Sequence, residues 1–219
     1  MKVTQEVWQV GGGSLTDPED AAIYLICFGE HGALIDAGTG KGHGRLISNI
    51  AKCGVASSQI EYLFLTHCHY DHTGGAVKVT EEFACKTIAH ELDAIYLEEG
   101  DRDVTGARWY GEVLEPLKVD HKITSSEEAF LIGNRSIKSF HTPGHSPGSV
   151  VYLVESEGKR ILFGQDVHGP LDPSLLSNRE HYIRSLKFLL SLEIDILCEG
   201  HFGIFEGRTN IQAFIRSFL

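Results

Sequence analysis

The sequence predicts an α/β fold, formed by a single domain over residues 1–219. Strand-like apolar runs and helical patterns alternate along the whole chain. No stretch rich in Pro, Gly or Ser, no charge block and no short-period repeat divides it. A chain of 219 residues that is 42% hydrophobic and 22% charged is long enough to bury a core of its own.

The first part of the chain is predicted to form strands, then a helix, then another strand. A helix from about Arg45 to Cys53 places Leu46 and Ile50 on one face, and Gly54 is a typical stop signal after it. The strands are predicted at Val7–Val10, Ile23–Phe28, Ala33–Asp36 and Tyr62–Thr66.

The second part continues the alternation. Ser177 and Glu180 have the spacing of a capping box, which predicts a helix to about Leu192. A last helix has an apolar stripe that must pack on the body, comprising Ile211, Phe214, Ile215, Phe218 and Leu219. Helices are also expected near Gly75–Phe83 and from His90, and strands at Thr87–Ala89, Ser136–His141, Val150–Val154, Ile161–Phe163 and Ile196–Cys198.

The charge balance and the cysteines limit the partners and the compartment. With 19 basic and 30 acidic residues, the net charge of −11 has the wrong sign for binding nucleic acid or an anionic membrane. We therefore expect a small-molecule substrate, and the sequence leaves the oligomeric state open. Five scattered cysteines indicate reduced thiols, and no signal peptide or membrane span is visible, so a cytoplasmic location is predicted.

A cluster of potential metal ligands follows the strand that is predicted to end at Thr66. The chain reads Thr66-His67-Cys68-His69-Tyr70-Asp71-His72, and Gly74-Gly75 then allows a sharp turn. In extended geometry His67 and His69 point to the same side, and Cys68 points away. Asp71 and His72 would reach a second point nearby, so the cluster predicts a pair of ions. Imidazole and carboxylate ligands suit Zn²⁺, Fe²⁺ or Mn²⁺.

Three later segments repeat this pattern, in which a strand ends at a metal-capable residue beside glycine. Ligands at strand ends converge on one rim of a sheet. The segments are Phe140-His141-Thr142-Pro143-Gly144-His145-Ser146, Phe163-Gly164-Gln165-Asp166 and Cys198-Glu199-Gly200-His201.

With these motifs, nearly the whole chain resembles the metallo-β-lactamase fold superfamily. The resemblance implies a four-layer αβ/βα sandwich of two mixed β-sheets with outer helices. It also implies that the first metal ion is held by His67, His69 and His145, that the second is held by Asp71, His72 and His201, and that Asp166 bridges both. The expected cofactors are two divalent ions, zinc first, with iron or manganese as alternatives.

Departures from known branches narrow the function within the glyoxalase II-like and lactonase-like part of the superfamily. The bridging Asp166 argues against a true β-lactamase, and only Phe202–Leu219 remains where glyoxalase II adds a helical segment. Gly169 stands where acyl-homoserine lactonases have an assisting tyrosine. Persulfide dioxygenases often have a cysteine at the position of Cys68. A buried residue of the core is nevertheless the simpler interpretation of Cys68.

We therefore expect a dinuclear metal-dependent hydrolase in which a metal-bridging hydroxide attacks a small ester, thioester or lactone. Asp71 and Asp166 are the candidate catalytic residues. Two alternatives stay open: a mononuclear-iron oxidoreductase resembling persulfide dioxygenase, and a metal-binding protein without turnover. His168 is either a proton shuttle or a loop cap, and Asp36 is expected to orient the ligand loops.

The segment Glu98–Lys118 is predicted to be a loop or a lid. It is polar and glycine-rich, yet it contains Trp109, whose large ring would be costly to leave in water without a partner. We expect Trp109 to border the opening over the metals. Arg102 and Arg108 would receive an anionic substrate group, or would pair with acids of the same loop.

Overall fold

The structure is a computed structural model that describes residues 1–164 and 166–219, and these residues form two β-sheets with helices on their outer faces. In the first sheet the strands lie in sequence order, the first three antiparallel and the rest parallel. They are β1 (Val7–Gly11), β2 (Ile23–Phe28), β3 (His31–Ile35), β4 (Ile60–Phe64), β5 (Lys86–His90) and β6 (His121–Ile123).

The second sheet is formed by the later part of the chain and is also mixed. Its strands are β7 (Glu127–Ile132), β8 (Arg135–His141), β9 (Val150–Ser156), β10 (Lys159–Phe163), β11 (Ile196–Cys198) and β12 (Ile204–Glu206). They lie in the order β12-β11-β10-β9-β8-β7. Only β10 and β11 pair in parallel, so β8, β10 and β11 run in the same direction.

Helices cover both outer faces. The α-helices are α1 (His43–Lys52), α2 (Tyr70–Thr73), α3 (Ala76–Phe83), α4 (Glu91–Glu99), α5 (Arg179–Ser191) and α6 (Arg208–Arg216). Short 3-10 helices span Ser57–Gln59, Ala107–Tyr110 and Pro173–Leu175. No helix of the described residues is both long enough and apolar enough to span a membrane.

Three apolar layers hold these elements together. Between the sheets, the Phe64 ring lies 5.4 Å from that of Phe130 and 5.2 Å from that of Tyr152. A second layer packs α1, α3 and α4 on the first sheet, and a third packs α5 and α6 on the second. This order of helix, sheet, sheet and helix confirms the predicted four-layer sandwich of two mixed sheets.

Several element boundaries differ from the sequence prediction. The capping box at Ser177 is wrong: Asn178 caps α5, because its side chain accepts a hydrogen bond from the His181 backbone N–H. The strands β6, β7 and β12 were not predicted: β6 and β12 have only three residues each, and the apolar residues of β7 neither alternate with polar ones nor are buried as a block at this sheet edge. In the last helix Ile211 and Ile215 are buried, whereas Leu219 is exposed.

The sheet directions explain why distant residues meet. The chain leaves β4 at Phe64, β8 at His141, β10 at Phe163 and β11 at Cys198. The last three strands are co-directional, so their following loops emerge at one edge of the second sheet. The backbone N–H of Val150 donates to the Thr66 carbonyl, which joins the loop after β4 to this edge. The candidate ligands lie in these loops.

Candidate metal centre

All seven predicted ligands meet between the two sheets. They form overlapping sets whose ligand atoms lie within 4.8 Å of one another: His67 with His69 and His145, His67 with His72 and Asp166, and Asp71 with His72 and His201. Six of the seven side chains are buried, and His201 is exposed in part. The structure thus brings together every residue of the predicted site.

The first set is formed by three histidines. The ring of His69 lies 4.5 Å from that of His67 and 4.4 Å from that of His145. Their Nε2 atoms are buried and form no hydrogen bond with residues 1–164 or 166–219. Buried polar atoms without partners are rare, because each costs about 1–3 kcal/mol. Three such atoms converging on one point fit a metal ion.

The second set lies beside the first, and the Asp166 carboxylate lies close to both. His201 Nε2 lies 3.1 Å from Asp71 Oδ2, and His72 Nε2 lies 3.9 Å from the same oxygen. The Asp166 carboxylate lies 3.1 Å from His72 Nε2, 3.4 Å from His145 Nε2 and 3.3 Å from His201 Nε2. It therefore contacts both sets, as a bridging ligand would.

Hydrogen bonds at Nδ1 fix the tautomers of three of these histidines. His145 Nδ1 donates to the Pro170 carbonyl at 2.9 Å, and His72 Nδ1 donates to Asp36 at 2.7 Å. Thr66 Oγ1 donates to Asp36, so it accepts from His67 Nδ1 at 3.0 Å. With the proton on Nδ1, each Nε2 presents its lone pair to the cluster, which is the form that binds metals.

Asp36 holds this arrangement together. It is buried, and its backbone has φ 61°, a conformation that L residues adopt mainly where surrounding contacts require it. Its carboxylate accepts hydrogen bonds from Thr66 N and Thr66 Oγ1 as well as from His72. The prediction that Asp36 orients the ligand loops is confirmed.

The electrostatics divide the histidines into two groups, beside ionised carboxylates. Burial lowers the pKa of His67 and of His69 well below the usual value, and the neighbouring histidines lower it further. Burial alone raises the pKa of Asp166, but adjacent His72 and His201 outweigh it and hold that pKa well below its usual range. The Asp166 carboxylate, with its neighbours, in turn raises the pKa of His72 well above the usual value and that of His201 to about 10. His67 and His69 are thus in the neutral form that binds a cation, whereas a cation at the second set would take the place of the protons on His72 and His201.

A cavity of about 170 Å³ opens above the cluster. Its floor includes His69, Asp71, His145, Asp166 and His201, and its walls include Thr105, Gly106, Trp109, Tyr110, Pro170 and Leu175. Trp109 therefore borders the opening over the candidate metal site, as predicted. The Tyr110 hydroxyl interacts with Asp71, and burial together with that carboxylate raises the pKa of Tyr110.

The arginines of the same loop do not face this cavity. Arg108 pairs with Asp103 at 3.2 Å, and Arg102 Nε donates to the Glu112 carbonyl at 2.8 Å. Two predictions were made for these arginines: binding an anionic substrate group, or pairing within the loop. Pairing within the loop is correct, with an acid for Arg108 and a backbone carbonyl for Arg102. A role for Arg108 in binding an anionic group is not supported.

The sequence model of the metallo-beta-lactamase superfamily matches residues 16–201, a range that contains every ligand of the cluster. The chain belongs to the metallo-beta-lactamase superfamily. This result confirms both the predicted family and the predicted class of enzyme, a metallo-hydrolase of this superfamily.

The curated relatives of this superfamily member include three that are named probable metallo-hydrolases. The one from Methanocaldococcus jannaschii is 32% identical over 133 residues, which is 61% of this chain and 62% of the relative. One of the two from Bacillus subtilis is 30% identical over 188 residues, 84% of this chain and 86% of the relative. An atrochrysone carboxyl ACP thioesterase from Aspergillus fumigatus is 27% identical over 84% of this chain and 51% of the relative.

Solved structures share the fold. A metallo-beta-lactamase variant from Cronobacter sakazakii has a TM-score of 0.83 at 22% identity, covering 100% of this chain and 92% of that one. The enzyme BJP-1 of Bradyrhizobium japonicum has a TM-score of 0.82 at 21% identity, covering 100% and 89%. At these identities the likeness concerns the fold alone.

Sequence reasoning missed one residue that connects the ligand loops of this superfamily member. Asp93 on α4 is fully buried. Its carboxylate accepts from Cys68 N at 2.9 Å, Ser146 Oγ at 2.6 Å and Gly148 N at 2.6 Å. It therefore joins the loop of His67 to the loop of His145. The signal that could have identified Asp93 is an acidic residue next to Ala94, on the face of α4 that is buried.

A second buried carboxylate, Glu199, shapes the turn that carries His201. It accepts from the backbone N–H of His201 at 2.7 Å and of Phe202 at 2.8 Å. It also accepts from His168 Nδ1 at 2.8 Å, and His168 lines the cavity. His168 therefore contacts the turn that carries His201 and lines the cavity, and its role as a proton shuttle stays a prediction.

The burial of Cys68 decides between the two interpretations given for it. Cys68 is fully buried in the apolar layer between the first sheet and its helices, away from the cluster, which is the core role favoured above. Tyr70 lies in the same layer, although it begins the short helix α2 instead of continuing an extended strand. His141 ends β8, and its ring stacks on His90 at 3.8 Å.

Proposed function

We propose that this protein is a dinuclear metal-dependent hydrolase of small esters, thioesters or lactones. The observation that supports it most is the pair of adjoining ligand sets that share Asp166. In the proposal His67, His69 and His145 hold one ion, Asp71, His72 and His201 hold the other, and Asp166 bridges them. Zinc is the ion we favour, because nitrogen and oxygen donors without thiolate suit it, although they also suit iron and manganese.

The chemistry comes from the ions and the positioning comes from the chain. When bound there, divalent ions would supply the positive charge that brings the pKa of a bound water molecule toward neutrality and polarises a carbonyl. In hydrolysis the water oxygen bonds to the acyl carbon, the bond to the leaving sulfur or oxygen breaks, and that atom takes up a proton. Asp71 and Asp166 are the proposed catalytic residues, because both face the cavity where this carbon would lie.

In this proposal the cavity walls position the substrate and exclude water. Trp109 and Leu175 exclude water from the sides, and the Tyr110 hydroxyl beside Asp71 is available to hydrogen-bond the substrate. No activated serine or cysteine is needed, and Cys68, the cysteine nearest in sequence, is buried elsewhere. A thioesterase among the relatives gives thioesters the first place in a substrate screen.

We propose further that the protein works as one domain in the cytoplasm. All five cysteines are free thiols, and burial raises the pKa of Cys85 to about 11, so that thiol is protonated and unreactive at neutral pH. Free thiols are typical of a reducing compartment.

Metal titration tests the proposed activity. Metal-depleted protein is loaded with zinc, manganese or anaerobic iron and assayed with thioesters, esters, a lactone and a phosphodiester. Hydrolysis should rise until two equivalents are bound. His145→Ala should lose bound metal and at least about 100-fold in kcat/KM, whereas His43→Ala on α1, outside the cluster, should lose neither. Full activity with one iron, together with oxygen consumption on a persulfide, would overturn the proposal in favour of the oxidoreductase.

A further inference from the structure

The walls of the cavity differ in chemistry from its floor. We propose that these walls select an uncharged, short apolar acyl group, so that the substrates are short-chain acyl thioesters or esters and not acyl groups that bear a carboxylate or phosphate. This inference rests on the proposed function, whose metal ions would bind the carbonyl at the floor.

Apolar side chains form part of the cavity walls. Leu175 and Trp109 approach each other on either side of Gly106: a methyl group built there would lie 3.5 Å from Leu175 Cδ2 and 3.9 Å from Trp109 Cε3. Pro170 adds a third apolar surface. Trp109 is 51% exposed, and so large an exposed ring at the mouth of a cavity is covered when an apolar group binds there.

The charges around the cavity oppose an anionic substituent. In the described part of the chain, no Lys or Arg lines the walls. The nearest cations in sequence are engaged, since Arg108 pairs with Asp103 and Arg102 donates to the Glu112 carbonyl. A carboxylate or phosphate at the far end of an acyl chain would lose hydration without gaining a Lys or Arg partner. Of the described wall side chains only Thr105, Tyr110 and His168 could offer it hydrogen bonds, so its burial is unfavourable.

The volume of the cavity limits the length of the acyl chain. Pockets for drug-sized ligands hold about 300–1,000 Å³, and this cavity holds about 170 Å³. A cavity below that range takes a group smaller than a drug-sized ligand, so a short acyl chain, with its carbonyl at the floor, is favoured over a long one. The leaving group then extends out of the opening.

A series of N-acetylcysteamine thioesters tests this selection at constant leaving group. Acetyl, butyryl, hexanoyl, decanoyl and succinyl thioesters are compared on the metal-loaded protein. Butyryl and succinyl chains have the same length and differ by a terminal carboxylate, so we expect kcat/KM to favour butyryl at least tenfold over succinyl and over decanoyl. Equal or better hydrolysis of the succinyl thioester would overturn the inference.

Variants assign the selection to the walls. Leu175→Ala enlarges the cavity and should move the preferred chain toward hexanoyl. Trp109→Ala should reduce the preference for butyryl over succinyl about fivefold. Val113→Ala removes an apolar side chain that is 71% exposed on the same segment, and it should change neither preference. Bound metal should be the same in all three, and unchanged preferences in Leu175→Ala and Trp109→Ala would contradict the assignment.

A binding measurement separates this inference from the proposed activity. In a Trp8→Phe background, the fluorescence of Trp109 alone is followed during titration with butyramide or succinamate. A saturable change with butyramide, and none with succinamate, supports the inference even if no thioester is hydrolysed, in which case only the proposed activity fails. The same response to both amides, or to neither, would overturn the inference.

Discussion

Replacement of Asp93 by asparagine should weaken both the fold and metal binding. In the wild type one carboxylate oxygen accepts from Gly148 N and the other from Cys68 N and Ser146 Oγ. The amide of Asn retains one oxygen, so if it still serves Cys68 and Ser146, its NH₂ group faces the Gly148 N–H. Two buried donors then oppose each other.

The size of the effect follows from these contacts. One charge-assisted hydrogen bond worth about 1.5–3 kcal/mol is lost, and an unsatisfied buried donor costs about 1–3 kcal/mol more. Part of this is recovered, because burial raises the pKa of Asp93, which shows that its ionised form is itself costly to bury. We expect a net loss of about 2–4 kcal/mol, which for a chain of this size lowers Tm by roughly 5–15 °C.

Two assays separate stability from site geometry. Thermal unfolding in excess chelator gives the stability of the metal-free protein, and competition with a chromophoric chelator at 20 °C gives zinc affinity. Changes behind metal ligands typically cost about 10–100-fold in affinity, so we expect at least a tenfold loss. Glu91→Gln, an exposed change on the same helix, is the matched control. If Tm falls and zinc affinity stays within twofold of the wild type, Asp93 does not position the ligand loops.

Three further changes test other parts of the structure. Asp166→Asn should remove the shared carboxylate and lower bound metal from two equivalents to one or none, measured by elemental analysis of protein equilibrated with zinc. Burial lowers the pKa of His90 to about 4, so stability should be lost as pH falls from about 6.5, the usual unfolded value, toward 4, by up to about 3 kcal/mol. Buried His67 and His69 contribute in the same direction, so urea unfolding at pH 7.5 and 4.5 should show that His90→Gln reduces the dependence by up to about 3 kcal/mol relative to the wild type, and an unchanged dependence would refute the assignment to His90. Phe64→Ala should cost about 3–5 kcal/mol in the same assay, because its ring is fully buried between the sheets, whereas Phe188→Ala, with 38% of the residue exposed, should cost much less.

The metal cluster could be predicted because its residues carry their signal in local spacing. His67, His69, Asp71 and His72 follow a buried strand within six positions, and strands such as β2 and β11 were placed correctly because they are continuous apolar runs. The remaining ligands were assigned through the family resemblance, and the sheet directions explain why they converge.

What could not be predicted depends on long-range contacts. Asp93 looks like any acidic residue of an amphipathic helix until the loops that it joins are placed around it. The arginine partners within the segment 98–118 depend on its backbone turns, and a polar loop offers several partners of equal chemistry. Strand β7 alternates exposed and half-buried residues at a sheet edge, so its periodicity was too weak to detect.

The distribution of ligands over the two sheets has a consequence for assembly. His67, His69, Asp71 and His72 follow strand β4 of the first sheet, whereas His145, Asp166 and His201 follow strands of the second. Neither group can complete the candidate metal site until the sheets have docked, so the ions of the proposed function would link the two layers. Metal at 100 times its Kd would then increase the free energy of unfolding by about 2.7 kcal/mol. Loss of the metal would first weaken the docking of the two sheets.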